Sequence, residues 1–223
     1  MFIHNIVQNL DLIKNKFNEI IQKKQLKTFP KIIAVSKTFS TNKIIPLLDA
    51  GHVHFGENKV QEAENKWPGI KEKYKNVQLH MLGKLQANKA KKAVKLFDYI
   101  HSLDNEKLAS KISYYEKELN KKIKIFIQIN VGNENQKSGI LINDLKKFYS
   151  YCINDLALNI VGLMCIPPIN SDNSKYFKIL KIKAQEFNLL ELSIGMSSDY
   201  PQAIQYGATY LRLGTAIFGG RNN

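Results

Sequence analysis

The run Lys31-Ile32-Ile33-Ala34-Val35-Ser36-Lys37-Thr38-Phe39-Ser40-Thr41 sets the pattern that the rest of the chain repeats. Its apolar core reads as a buried strand, and the Ser/Thr cluster after it reads as a loop and a helix N-cap. Lys37 stands where the strand meets the loop. A lysine at the mouth of a buried strand is partly desolvated, which disfavours the ammonium and frees the amine as a nucleophile. That is what a Schiff-base lysine needs. The plain alternative is a strand-end lysine whose stem reaches back to water.

Outward from this unit, short apolar runs alternate with amphipathic stretches. Strands are expected over 31–36, 52–55, 77–82, 98–101, 123–130, 158–163, 191–194 and 209–213. Helices are expected over 41–50, 57–74, 86–96, 104–119, 141–151, 172–188 and 199–206, with a further one beginning at Gly214-Thr215-Ala216. Ile3, Ile6, Val7, Leu10, Ile13, Phe17, Ile20 and Ile21 recur at helical spacing and predict an amphipathic lead-in helix over 3–21. Strands alternating with helices imply a parallel sheet, and eight such units imply a closed (β/α)8 TIM barrel. A doubly wound open sheet is the competing α/β arrangement, because spacing alone does not show closure. No Pro/Gly/Ser-rich linker divides the chain, so residues 1–223 read as a single domain.

Composition narrows the class. The chain has 33 Lys+Arg against 19 Asp+Glu, a formal charge of +14. Such an excess can attract nucleic acid or an anionic membrane. Here the lysines are spread along a chain rich in Lys, Asn and Ile. The densest patch, Lys84, Lys89, Lys91, Lys92 and Lys95, has no interleaved aromatics and reads as a solvated helix face. Nucleic acid is therefore not an expected partner. Cys152 and Cys165 have no CxxC spacing, which fits a reducing, cytoplasmic setting rather than a disulfide framework or zinc site. No run is apolar enough to span a bilayer, and the N-terminus lacks signal-peptide features.

In a barrel of this kind, chemistry sits where strands run into the loops that follow them. Polar and glycine residues do collect there: Ser36-Lys37, Gly56-Glu57-Asn58, His80 and Gly83, His101-Ser102, Gln128 and Asn130, Gly162 and Met164, Gly195-Met196-Ser197-Ser198-Asp199, and Arg212-Leu213-Gly214-Thr215. The last two loops suit a phosphate. Glycine admits close backbone approach, Ser and Thr donate hydroxyls, and helix starts present free N–H groups. Helix capping alone would also explain each loop.

The stretches AVSKTFS, HFGENKVQEA, HMLGKLQANK, HSLDN, INVGNENQKSG, GLMCIPP, LSIGMSSDYPQAI and YLRLGTAIFGGR, in this order from about residue 31 to residue 221, resemble the signatures of the pyridoxal phosphate homeostasis protein family, the YggS/PROSC type. The resemblance implies a barrel like the N-terminal domain of alanine racemase and an internal aldimine to pyridoxal 5'-phosphate (PLP). By motif, Lys37 is the Schiff-base lysine, and Ser197, Gly214 and Thr215 hold the phosphate. Arg212 faces the pyridine nitrogen, Asn58 lies beside the ring and Met164 lines the pocket. His80 carries over without an assignable role. Lys59 stands where tyrosine is common in the family, and Asn105 where arginine is common.

A mechanistic expectation follows from the resemblance. PLP acts as an electron sink when its ring nitrogen is protonated. A permanently cationic Arg212 at that nitrogen weakens the sink. Racemisation needs a proton donor or acceptor on each face, and lysine supplies one. In alanine racemase the other is a tyrosine associated with a further β-domain, for which this chain, ending at Asn223, is expected to leave no room. The expectation is a monomeric protein that buffers PLP within vitamin B6 homeostasis with little or no turnover. PLP-dependent apoenzymes would be its acceptors. The alternative is a small PLP-dependent amino-acid racemase with His80 or a tyrosine as the second base.

Overall fold

The structure, a computed structural model, describes residues 2–27, 29–134, 136–168 and 172–220. Arg221, the last residue of the YLRLGTAIFGGR stretch, lies outside the described residues. Eight parallel strands form a closed barrel: β1 (Lys31–Val35), β2 (His54–Glu57), β3 (Gln78–Met81), β4 (Tyr99–Leu103), β5 (Lys124–Ile129), β6 (Ile160–Cys165), β7 (Glu191–Met196) and β8 (Tyr210–Leu213). Each strand pairs with the next, and β8 returns to β1 with Ile33 opposite Arg212. This register decides between closed barrel and open sheet, which strand spacing left open.

The helices are α1 (Phe2–Lys24), α2 (Thr41–Asp49), α3 (Val60–Lys73), α4 (Ala90–Leu96), α5 (Glu106–Glu118), α6 (Leu145–Ser150), α7 (Ser174–Glu186), α8 (Tyr200–Gln205) and α9 (Thr215–Phe218). The α4 helix is entered through a 3-10 turn at Ala87–Lys89, and α6 runs on into a wider helical turn at Tyr151–Asp155. Asn105 finds its role here, since its side chain caps α5 by accepting the Leu108 N–H at 2.9 Å.

Strand residues alternate between two apolar surfaces because successive side chains point to opposite faces. Ile32 and Ala34 join the core between strands and helices, while Ile33 and Val35 join an inner cluster with Leu82, Tyr99, Phe126, Met164 and Tyr210. The α1 helix buries Ile6, Leu10, Ile13, Phe17 and Ile21, each Ile, Leu or Phe contributing about 1.5–3 kcal/mol when fully withdrawn from water. Its Asn9 amide donates to the Ile217 carbonyl at 2.9 Å, which ties the lead-in helix to α9.

Four strands run further than their apolar runs indicate. The β2 strand pairs from His54 through Glu57, so Gly56 and Glu57 lie within it rather than after it. The β4 strand reaches Leu103, β6 reaches Cys165 and β7 reaches Met196. Parallel pairing, not apolar content, sets these ends. The basic patch is also not one solvated helix face. Lys84 lies in the loop after β3, while Lys91 pairs with Glu118 and Lys92 with Glu64.

Candidate functional site

A cavity of about 640 Å³ opens at the end of the barrel where the strands feed their following loops. Lys37, Asn58, Ser197, Arg212, Gly214 and Thr215 all line it. Met164 does not. It is fully buried in the inner cluster, because β6 continues past it, and the methionine on the cavity wall is Met196. Gln128 and Asn130 from the end of β5 also face the cavity, as do Lys84 and Lys137. Lys137 donates to the Pro167 carbonyl at 3.1 Å and pairs with Glu134 at 2.6 Å.

Local geometry places these groups. Gly83 packs against the backbone of Asn58 so closely that a Cβ there would stand 2.3 Å from the Asn58 oxygen. Gly195 has φ +90°, and a Cβ on it would meet Ala203 and Leu211 at 2.6 Å, so only glycine fits this end of β7. The loop beyond is held by Asp199, whose carboxylate accepts the Met196 N–H at 2.6 Å. Ser197 Oγ accepts the Ala216 N–H at 3.2 Å and so joins the loop after β7 to the start of α9. Among the described residues that line the cavity, none is Asp or Glu, whereas Lys37, Lys84, Lys137 and Arg212 all do.

Arg212 is 6% exposed and is fixed by three hydrogen bonds. It donates to the Ser193 carbonyl at 2.5 Å, to Ser193 Oγ at 2.8 Å and to the Cys165 carbonyl at 2.9 Å. Burial draws its pKa down from the ordinary arginine value. Burial pushes the neighbouring Cys165 thiol up to about 12, so it is not a nucleophile at neutral pH.

From Ser193 a line of histidines crosses the barrel interior. His101 Nδ1 is 2.8 Å from Ser193 Oγ, His80 Nδ1 is 2.9 Å from His101 Nε2, and His54 Nδ1 is 3.0 Å from His80 Nε2. One set of proton positions uses every donor in this line. Arginine only donates, so Ser193 Oγ accepts from Arg212, and the serine's own proton then goes to His101 Nδ1. In this arrangement His101 donates from Nε2 to His80 Nδ1 and His80 from Nε2 to His54 Nδ1. All three rings are then neutral with the proton on Nε2. Burial, then the Arg212 charge, holds His101 well below its ordinary pKa, and burial, then neighbouring His101 and His54, does the same for His80. His80 is fully buried with both ring nitrogens engaged, so it does not face the cavity as a second base.

A closed parallel barrel with a lysine after β1, an arginine on β8 and polar loops after β7 and β8 defines a class of protein. The family model described as "Alanine racemase, N-terminal domain" matches residues 8–222. The pyridoxal phosphate homeostasis protein of Pasteurella multocida is 34% identical over 97% of this chain and 98% of its own length. That of Synechocystis is 39% identical over 86% of this chain and 91% of its own. The chain belongs to the pyridoxal phosphate homeostasis protein family. The structure of PipY from Synechococcus elongatus with PLP bound is 35% identical, covers 90% of this chain and 99% of PipY, and superposes with a TM-score of 0.79. Alanine racemase of Clostridium difficile, 15% identical with a TM-score of 0.75 over 99% of this chain and 58% of its own, shares the fold.

Proposed function

We propose that the cavity holds PLP, attached covalently at Lys37, and that the protein keeps and hands on this cofactor with little or no turnover. The observation that carries the reading is the lining: Lys37, Arg212 and the hydroxyls of Ser197 and Thr215 face one cavity with no Asp or Glu among its described lining residues. Its volume of about 640 Å³ lies within the range usual for cofactor sites. The solved structure of PipY with PLP bound supports the choice of cofactor.

When bound, PLP supplies an aldehyde that condenses with a lysine amine with loss of water, and an electron sink if its ring nitrogen is protonated. Lys37 supplies the amine. Ser197, Gly214 and Thr215 hold the phosphate with hydroxyl and backbone donors. Asn58 lies beside the ring. Arg212, cationic and fixed by three of its five donors, would keep the ring nitrogen unprotonated and so weaken the sink. Among the described residues that line the cavity there is no Tyr, His, Cys, Asp or Glu to oppose Lys37; the remaining amines are Lys84 and Lys137, and Lys137 is held by Glu134 and the Pro167 carbonyl. This favours a carrier over the racemase.

The same reading takes the chain as one barrel domain over 1–223, a monomer of the cytoplasm that passes PLP to apoenzymes. Two observations bear on the compartment. Both cysteines are buried and free, and among the described residues no helix is long and apolar enough to cross a membrane.

The test is a comparison of wild type with Lys37→Ala, each titrated with PLP and followed by visible absorption, with Cα deuterium exchange on alanine and serine as the turnover assay. The reading expects a borohydride-bleached band in the wild type alone and negligible exchange. Rapid exchange lost in Lys37→Ala makes the protein a racemase.

A further inference from the structure

Lys37 sits between two residues gripped by one ionic network, buried at Glu57 and Lys66 and part-exposed at Glu62, and none of its described members lines the cavity. On one side, Ser36 is fully buried. Its N–H donates to the Gly56 carbonyl at 2.9 Å, its hydroxyl donates to Glu57 Oε1 at 2.8 Å, and its carbonyl accepts from Lys66 Nζ at 3.0 Å. On the other side, the N–H of Thr38 donates to Glu62 Oε1 at 2.6 Å. Both grips converge on Lys66. Its ammonium spends its three protons on the Ser36 carbonyl, on Glu57 Oε1 at 2.9 Å and on Glu62 Oε1 at 2.8 Å.

Two features set this network apart from an ordinary surface ion pair. Glu57 is fully buried and the Lys66 side chain is 9% exposed, so both charges are desolvated. Trp67 Nε1 supplies Glu57 Oε1 with a further hydrogen bond at 3.0 Å. An apolar cluster would fill such a space at no desolvation cost. The second feature is Thr38, whose φ of +68° puts a β-branched residue in the left-handed region. Such a conformation persists only where its surroundings enforce it, and the hydrogen bond that the Thr38 N–H donates to Glu62 does so here. Burial pushes the Glu62 carboxyl up, but the hydrogen bonds from Lys66 and Thr38 outweigh it and hold the carboxyl below its ordinary value.

We propose that Lys66, Glu57 and Glu62 are positioning residues for Lys37, holding the Ser36 and Thr38 peptides so that the Thr38 turn stays left-handed and the Lys37 side chain enters the cavity ready to take an aldehyde. The inference rests on Lys37 being the point of PLP attachment. Glu57 and Lys66 anchor the strand end. Glu62, three-quarters buried and on the first turn of α3, is the member that can be changed with least damage to the core.

The experiment measures the rate of PLP attachment by stopped-flow absorption in wild type, Glu62→Ala, Glu62→Gln and the double variant Thr38→Gly/Glu62→Ala, with melting temperature recorded for each. Glu62→Ala is expected to slow attachment about tenfold, the loss that follows from releasing one enforced left-handed residue. Glu62→Gln, which keeps an oxygen for the Thr38 N–H, loses less. Adding Thr38→Gly recovers most of the rate, because glycine adopts positive φ without a Cβ clash. A merely structural role would lower the melting temperature of Glu62→Ala without this rescue. Wild-type attachment at Lys37 with an unchanged rate in Glu62→Ala, or a loss that Thr38→Gly does not recover, overturns the positioning role and leaves the proposed function standing. No attachment at Lys37 in the wild type overturns both.

Discussion

The guanidinium of Arg212 on β8 lies 2.8 Å from the hydroxyl of Ser193 on β7, and that hydroxyl begins the hydrogen-bond line through His101, His80 and His54. Removing the hydroxyl breaks the line at its source. Ser193→Ala leaves His101 Nδ1 buried without its donor, at a cost of about 1–3 kcal/mol in unfolding free energy measured with urea. In the wild type, 15N NMR should find His54, His80 and His101 all neutral with the proton on Nε2. In the variant, the His101 tautomer is released.

His52 and the histidines of this line make stability fall on the acid side. His52 and His54 titrate at about 4 in the folded chain, burial being the largest cause in each, against 6.5 in the absence of such effects. Between these values the unfolded chain binds more protons, so stability is complete above pH 6.5 and is lost as pH falls towards 4. Burial also holds His80 and His101 well below 6.5, so they add to the loss in the same direction. Urea unfolding from pH 7 to pH 4.5 tests this. Each histidine in the set steepens the slope by about 1.4 kcal/mol per pH unit, and His54→Gln should make it shallower by that amount.

In the phosphate cup, Thr215→Ala and Ser197→Ala each remove a charge-assisted donor worth about 1.5–3 kcal/mol, so PLP affinity drops tenfold or more in each. Ser197→Ala also releases the Ala216 N–H and should be the more damaging of the two. Equilibrium titration with PLP, beside circular dichroism to show the fold intact, measures both. Unchanged affinity in both variants puts the phosphate elsewhere.

Gly195 tests the backbone beneath that cup. Its φ of +90° and the 2.6 Å approach of Ala203 and Leu211 leave no room for a methyl group. Gly195→Ala should cost about 1–3 kcal/mol from the left-handed backbone alone, with the steric clash added. Gly51→Ala, at φ +80° with open space around it, should cost less and serves as the control in thermal melts.

What was legible in the sequence was what apolar runs encode. Ile32-Ile33-Ala34-Val35 and its counterparts mark eight buried strands, and the polar residues behind them mark the cavity mouth. Closure was not legible, because it rests on Ile33 lying opposite Arg212, a register between strands far apart in sequence. Met164, which the resemblance puts on the pocket wall, is buried in the inner cluster, because pairing carries β6 on to Cys165. Lys84 reads as part of a basic patch because charge density carries no direction, and only the turn after β3 brings it to the cavity. The histidine line was missed although a signal existed. His54, His80, His101, Ser193 and Arg212 are polar residues inside strand segments that otherwise read as buried, and buried polar groups find partners in one another. Glu57 reads as a loop residue because the apolar run of its strand stops two positions before the pairing does.

The most direct test of the account is peptide mapping by mass spectrometry after PLP loading and borohydride reduction. The cavity presents three amines, Lys37, Lys84 and Lys137, so the map discriminates among them. The account predicts one reduced adduct, on the peptide containing Lys37, at close to one per chain. An adduct chiefly on Lys84 or Lys137, or no adduct at all, contradicts it.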